Sequence, residues 1–165
     1  METKGSRAMT ILITGAYGFV GCKVTELLNR NNIDFIGTDI DDQSGLTKLD
    51  VTGDNDYEIL KKYAFKTVVH LAARQFANKP PAGIRRQEKF FVDVNVIGTE
   101  KLLQNMRIHK VNKLIFVSTD MVYGVHSNTL KLKEDSQLQP IGPYGKSKER
   151  CEELIEHGLW KVRAL

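Results

Sequence analysis

Three glycines spaced three apart, Gly15, Gly18 and Gly21, fall between a short apolar run, Thr10 to Ile13, and a segment whose apolar residues recur at helical spacing. Strand, glycine turn and helix in that order leave a chain few folds to adopt. Gly15 permits a tight turn, Gly18 lets backbone approach a pyrophosphate closely, and Gly21 lets the helix lie close on its strand. The helix start then offers unpaired N–H groups and the positive end of its dipole to phosphate. Gly-x-x-Gly-x-x-Gly is not the commoner Gly-x-Gly-x-x-Gly, and a plain turn with close packing accounts for such a pattern about equally well. Its meaning depends on the rest of the chain.

From the glycine turn onward, strand and helix alternate strictly. Phe19, Val20, Val24, Leu27 and Leu28 share a helical face that Asn29 to Asn32 ends, and Asp34 to Thr38 reads as a second strand. Asp39 closes it, roughly 20 to 25 residues after the glycine turn, where a dinucleotide fold places an acid on the ribose hydroxyls. The bland alternative is an exposed turn acid beside Asp41 and Asp42. A carboxylate there repels a 2′-phosphate, which favours NAD over NADP. Leu46 to Val51 reads as a short third strand, and Asp54 to Tyr63 as a helix. Asp50 is suited either to an adenine amino group, with Val51 against the ring, or to the approach into that helix.

Thr67 to Ala72 is a continuous apolar run holding one histidine, the mark of a parallel strand covered on both faces. His70 reads as a satisfied buried histidine, and small Ala72 and Ala73 leave room for a ligand. Arg74 to Gly83, with Pro80-Pro81, is a loop over the sheet's C-terminal edge. Arg85 to His109 has the apolar spacing of one long helix, interrupted by Asn95 and Gly98, both poor helix formers. Asn95 is suited to a polar network and Gly98 to close packing. Lys113 to Thr119 is a further buried strand ending in hydroxyls, Val125 to Pro143 a surface loop, and Tyr144 to His157 the last helix. Lys161 to Leu165 reads as the start of a sixth strand. The expected fold is one α/β, doubly wound parallel sheet over 10–165, preceded by a disordered tail over 1–9.

Composition adds exclusions. The 165 residues are 41% hydrophobic, enough for one core, and 24 basic against 20 acidic residues give an interspersed net charge of +4 with no basic stripe, so nucleic acid is not implied. No run approaches the roughly 18 apolar residues of a membrane span. Cys22 and Cys151 stand far apart with no histidine or cysteine at metal-ligand spacing. Two reduced thiols in a cytoplasmic protein without a metal site are expected.

Tyr144 and Lys148 lie four apart on one helix and so share a face. A tyrosine near an ammonium and a positively charged nicotinamide ring is drawn from its usual pKa of about 10 toward the phenolate. It can then take a proton from a substrate hydroxyl as hydride leaves the same carbon, with Thr119 holding that hydroxyl. Tyr-x-x-x-Lys alone carries little weight. Here it comes after a strand ending Ser118-Thr119 in a chain that also has the glycine turn.

Taken as an ordered set, Thr14 to Gly21, His70 to Ala73, Asn95 with Gly98-Thr99, Phe116 to Gly124 and Pro143 to Lys148 resemble the extended short-chain dehydrogenase/reductase superfamily, in its nucleotide-sugar epimerase/dehydratase branch. The Gly-x-x-Gly-x-x-Gly form is usual there. The resemblance implies a Rossmann-type domain with NAD, in which Gly15, Tyr17, Gly18, Phe19, Val20 and Gly21 form and edge the pyrophosphate turn. It implies Asp39 on the adenosine ribose, Asp50 and Val51 on the adenine, and Leu71, Ala72 and Ala73 bordering the cofactor. Asn95 supports the site, Thr119, Tyr144 and Lys148 are the catalytic set, and Lys148 also holds the nicotinamide ribose.

Two departures qualify this. Sugar dehydratases of the branch carry Asp-Glu after the hydroxyl residue, where this chain has Asp120-Met121, so an epimerase is expected ahead of a dehydratase or reductase. Family members also continue into a nucleotide-sugar-binding portion, and none comes after Leu165. The chain is therefore expected to be truncated at its sixth strand and inactive at this length, with a non-catalytic NAD-binding fragment as the rival reading. The helices Arg85–His109 and Tyr144–His157 would serve either a homodimer, as in the family, or intrachain packing.

Overall fold

In the computed structural model, residues 11–41, 47–54, 56–125 and 131–158 are described. The expected tail over 1–9 and the expected sixth strand over 161–165 lie outside them. Five parallel strands form the sheet: β1 Ile11–Thr14, β2 Phe35–Asp39, β3 Thr47–Lys48, β4 Thr67–His70 and β5 Lys113–Phe116. Their order is β3-β2-β1-β4-β5, so the chain steps one way from β1 and then returns to the other side of it. The crevice between β1 and β4 is thus a topological switch point, where open α/β sheets bind ligands.

Register decides which residues reach that crevice. Thr14 is level with Thr38 on one side and His70 on the other, and His70 is level with Phe116. Four strands therefore end together, and the loops that leave them share one edge.

Alternate residues of each strand face opposite layers. Leu12, Val68, Leu114 and Phe116 join the larger core with Leu102, Met106, Cys151 and Ile155 from the helices α4 Ile97–Ile108 and α5 Gly142–His157. Ile13 and Val69 face the other way, under Val24 and Leu28 of α1 Phe19–Arg30. The helix therefore buries the face Gly21–Val24–Leu28, spaced i, i+3, i+7. Phe19, Val20 and Leu27, expected on that face, are 90%, 44% and 60% exposed because they project to its flank or away from it.

Other elements are shorter than their patterns suggest. The third strand keeps two residues, and the helix expected over Asp54 to Tyr63 is a 3-10 turn, Asp56–Glu58, running into α2 Ile59–Lys62. The long helix forms in three parts: α3 Ile84–Phe91, a π-helical segment Val92–Val96, and α4. The wider π turn turns Asn95 and Val96 inward, both buried. Just beyond, a Cβ on Gly98 would lie 2.6 Å from Val51 Cγ2, so only glycine lets this helix settle against the loop after β3. The fifth strand stops at Phe116, which leaves Ser118 and Thr119 in the loop. No helix among the described residues is long and apolar enough to cross a membrane.

Candidate functional site

The glycine turn closes on itself. Gly15 has φ +70° and would place a Cβ 2.6 Å from Ala72 N, while a Cβ on Gly21 would lie 2.2 Å from Gly15 O. Gly21 thus presses the first turn of α1 against the loop, where the sequence suggested contact with the strand. Gly18 differs: its nearest obstacle is Gly15 O at 3.3 Å, and it faces a cavity.

That cavity, about 480 Å³, lies over the ends of β1, β2 and β4. Of the residues expected to hold a cofactor, Gly15, Tyr17, Gly18, Asp39, Asp50, Val51, Leu71, Ala72 and Ala73 line it. Phe19, Val20, Gly21, Asn95, Tyr144 and Lys148 do not. Asp39 binds both ends of its neighbourhood: Tyr17 N–H donates to Oδ2 and Ile40 N–H to Oδ1, each at 2.8 Å. Its carboxylate therefore ties the glycine turn to β2 and stands on the cavity wall. Asp50 Oδ1 accepts from Thr52 N–H and Oγ1, so the helix-approach role is realised while the residue still borders the cavity. Sequence reasoning missed Ile40, Asp41, Leu49, Arg74, Asn78 and Val94 on the same wall. Arg74 and Asn78 sit in the loop after β4, which has no periodicity to read, and only its place at the strand's C-terminal end pointed to it.

Asn95 is 1% exposed and works from behind this wall. Its Oδ1 accepts from Arg74 N–H at 2.7 Å, and its Nδ2 donates to Arg74 O at 3.1 Å and to Ser147 Oγ at 3.0 Å. Ser147 in turn donates to Tyr144 O at 2.7 Å. Asn95 is thus a bridge between the loop after β4 and α5.

The three residues of the expected catalytic set stand beyond β4, around the end of β5. Thr119 caps a 3-10 turn, Asp120–Val122, accepting from Met121 N–H at 3.3 Å. Ser118 is committed elsewhere, donating to Glu152 of α5. Lys148 is 4% exposed, and among the described residues its ammonium donates no hydrogen bond; it lies 4.0 Å over the Phe116 ring. Burial pushes its pKa down to about 8, against the pull of Cys151 and Glu152. Tyr144 meets the rings of Phe76 and Phe91 edge-on at 5.7 and 5.5 Å. Phe76 belongs to the Phe76–Asn78 turn of the loop that lines the cavity, so this contact joins the two halves of the site.

The expected pull on the Tyr144 phenol needs the nicotinamide charge as well as the ammonium. Burial raises its pKa, with Cys151 and Asp120 adding to the effect, and Lys148 does not offset them. Sharing a helical face is not enough, since the ammonium turns toward Phe116. His70 is the satisfied buried residue its sequence context suggested: Nδ1 is 2.7 Å from Thr14 Oγ1 and Nε2 3.1 Å from Thr99 Oγ1. Burial pushes its pKa down to about 3, helped by the Lys148 charge.

A glycine turn open only at its middle residue, an acid at the end of the neighbouring strand on the same cavity and a buried tyrosine–lysine helix fit a dinucleotide with a proton-transfer site at one end. The model of the NAD dependent epimerase/dehydratase family matches residues 11–158. The chain belongs to that family. Its cofactor is NAD, and the cavity suits it: Gly18 leaves open the space that a side chain would take, and Asp39 stands on the wall of that same cavity. Among curated relatives of this epimerase/dehydratase chain, the UDP-glucose 4-epimerase of Corynebacterium glutamicum is 33% identical over 85% of this chain and 44% of its own length. The UDP-glucose 4-epimerase of Pisum sativum is 29% identical over 87% and 46%. The solved UDP-glucose 4-epimerase from Brucella ovis in complex with NAD superposes with a TM-score of 0.78 at 26% identity, covering 95% of this chain and 50% of that one. The chain spans about half the length of the curated relatives it matches.

Proposed function

We propose that this chain is the NAD-binding part of a nucleotide-sugar 4-epimerase that acts by transient oxidation of a sugar hydroxyl. The observation that carries the reading is the single crevice in which the Gly15–Gly18 turn and Asp39 line one cavity, while Phe76, from the loop on that cavity, touches Tyr144. The names of the relatives support the substrate class.

NAD, when bound, supplies the hydride acceptor and donor. The chain's own residues do the rest. The N–H groups of Ala16, Tyr17 and Gly18 are spent on Thr38 O, Asp39 and Gly15 O, so the first N–H groups of α1 receive the diphosphate, and Asp39 takes the adenosine ribose. Lys148, buried without a hydrogen-bonding partner among the described residues, has donors to give the nicotinamide ribose. Thr119 holds the sugar hydroxyl, and Tyr144 removes its proton as the carbon becomes a ketone. The same phenol returns the proton when hydride comes back to the other face. A dehydratase would need a base beside Asp120, where Met121 instead runs its backbone beneath α5: a Cβ on Gly145 would meet Met121 O at 2.9 Å.

The reading extends to a reducing, cytoplasmic setting, which suits the free thiols Cys22 and Cys151, and to a homodimer through the helices over Arg85–His109 and Tyr144–His157. The 165 residues alone turn over no nucleotide-sugar on this reading. The test has two arms: calorimetric titration of NAD into the chain, and conversion of UDP-glucose to its 4-epimer by the longest naturally expressed product. NAD binding together with epimerisation abolished by Tyr144→Phe supports the proposal. No NAD binding, or net NADH accumulation without an added keto-sugar, overturns it.

A further inference from the structure

The cavity is electrically lopsided. Asp39, Asp41 and Asp50 place three carboxylates on its wall, and Arg74 is the one cation among the described residues that line it. A dinucleotide brings two negative charges on its diphosphate. The helix start behind the glycine turn contributes only a partial charge, roughly half an elementary charge shared over its N–H groups. Three acids and one helix end would leave that diphosphate under-compensated. Among the described residues of the wall, only Arg74 can supply a whole positive charge.

The backbone of this residue is fixed on both sides. Asn95, buried in the π-helical segment, accepts from Arg74 N–H and donates to Arg74 O. The side chain is braced as well: one terminal nitrogen donates to Phe90 O at 3.1 Å, and the guanidinium carbon lies 4.5 Å over the Phe90 ring. A guanidinium has five N–H donors, and that bond to Phe90 uses one of them. A planar cation held against an aromatic face with donors to spare is pre-organised for a phosphate, because little rotamer freedom remains to be lost on binding.

Resting on the reading of the cavity as an NAD site, we infer that Arg74 is a binding residue for the cofactor's diphosphate. The Asn95 bridge then has a purpose beyond packing. It sets the position of Arg74, the one cation among the described lining residues, and it ties that position through Ser147 to the helix bearing Tyr144 and Lys148.

The experiment uses the full chain, with ADP-ribose and adenosine as calorimetric probes at low and high salt. A charge-assisted contact of this kind is worth about 1.5–3 kcal/mol, so Arg74→Gln should weaken ADP-ribose roughly ten- to a hundredfold. Adenosine, which lacks the diphosphate, should bind both proteins alike, and the salt sensitivity of ADP-ribose binding should shrink in the variant. Arg74→Lys keeps the charge without the fork and should fall between the two, with melting curves showing both variants folded. Equal ADP-ribose affinity in wild type and Arg74→Gln overturns this inference while leaving the NAD reading intact. Equal proportional loss for adenosine assigns Arg74 to the shape of the loop and overturns it too. A wild-type chain that binds neither probe overturns the NAD reading, and the inference with it.

Discussion

The imidazole of His70 stands 2.7 Å from the hydroxyl of Thr14, the residue that leads into the glycine turn. Thr14 Oγ1 also accepts from Ala72 N–H at 3.3 Å. With that hydroxyl donating to Nδ1, the ring proton sits on Nε2 and is given to Thr99 of α4. A neutral ring thus ties two strands and a helix together under the turn.

Neutrality has a consequence for stability. His70 holds its folded pKa down to about 3 against an ordinary 6.5, so below about pH 6.5 the unfolded chain takes a proton that the folded chain refuses. Stability is full above that pH and falls as pH drops toward 3, by up to about 1.4 kcal/mol per unit from this group. Urea unfolding at a series of pH values should show the slope in the wild type. His70→Gln should be less stable at pH 7 yet flatter toward acid. Parallel slopes would assign the acid sensitivity to other groups.

The three glycines should separate by role. Gly15→Ala meets backbone at 2.6 Å with a positive φ, and Gly21→Ala meets Gly15 O at 2.2 Å, so each should destabilise the fold by about 1–3 kcal/mol or more. Gly18→Ala asks Gly15 O to yield only slightly and should keep the melting temperature nearly unchanged. Its methyl group enters the cavity, and NAD affinity should drop. If all three variants lost stability equally, Gly18 would be a turn residue like the others.

The contrast between these glycines marks what was legible in the chain. The apolar runs of β1, β4 and β5 and the glycine turn depend on local pattern, and the fold could be read from them, whereas the switch point came with the strand order. Asp39 was legible because a strand's end fixes its height. Phe19 and Leu27 were misplaced because a helix of mixed pattern leaves its buried face open to a quarter-turn of error, which the close contact at Gly21 resolves. The π turn at Val92–Val96 was invisible, since it arises from the tertiary demand of Asn95 on Arg74 and Ser147. Arg74 and Asn78 were missed for the same reason: an irregular loop takes its position from partners distant in sequence.

Asn95 offers a test in which pH changes sign. Asn95→Ala leaves Arg74 N–H and C=O without their partner in a buried site, at a cost of about 2–4 kcal/mol. Asn95→Asp retains the acceptor but faces Arg74 O with a second carboxylate oxygen. At neutral pH this buried charge should make it the less stable of the two. In mild acid a protonated carboxyl can donate to Arg74 O, and Asn95→Asp should then overtake Asn95→Ala. Denaturant melts of both variants at two pH values give the ranking, and an unchanged order would mean that the bridge to Arg74 O carries no weight.

The phenol of Tyr144 provides the most direct reading of how the site is switched on. In the free chain burial, Cys151 and Asp120 hold its pKa above the ordinary 10. The phenol of the free chain therefore keeps its proton at neutral pH. Oxidised NAD would bring a positively charged ring into the same crevice, and attraction between that charge and the phenolate lowers the pKa. The reduced form carries no such charge. Ultraviolet difference titration of the wild type against Tyr144→Phe isolates this one phenol among five tyrosines. Its transition should lie above that of free tyrosine in the chain alone, move down with oxidised NAD, and move less with the reduced form. An equal response to both forms would mean that cofactor charge does not reach Tyr144, and that its activation depends on water excluded by substrate instead.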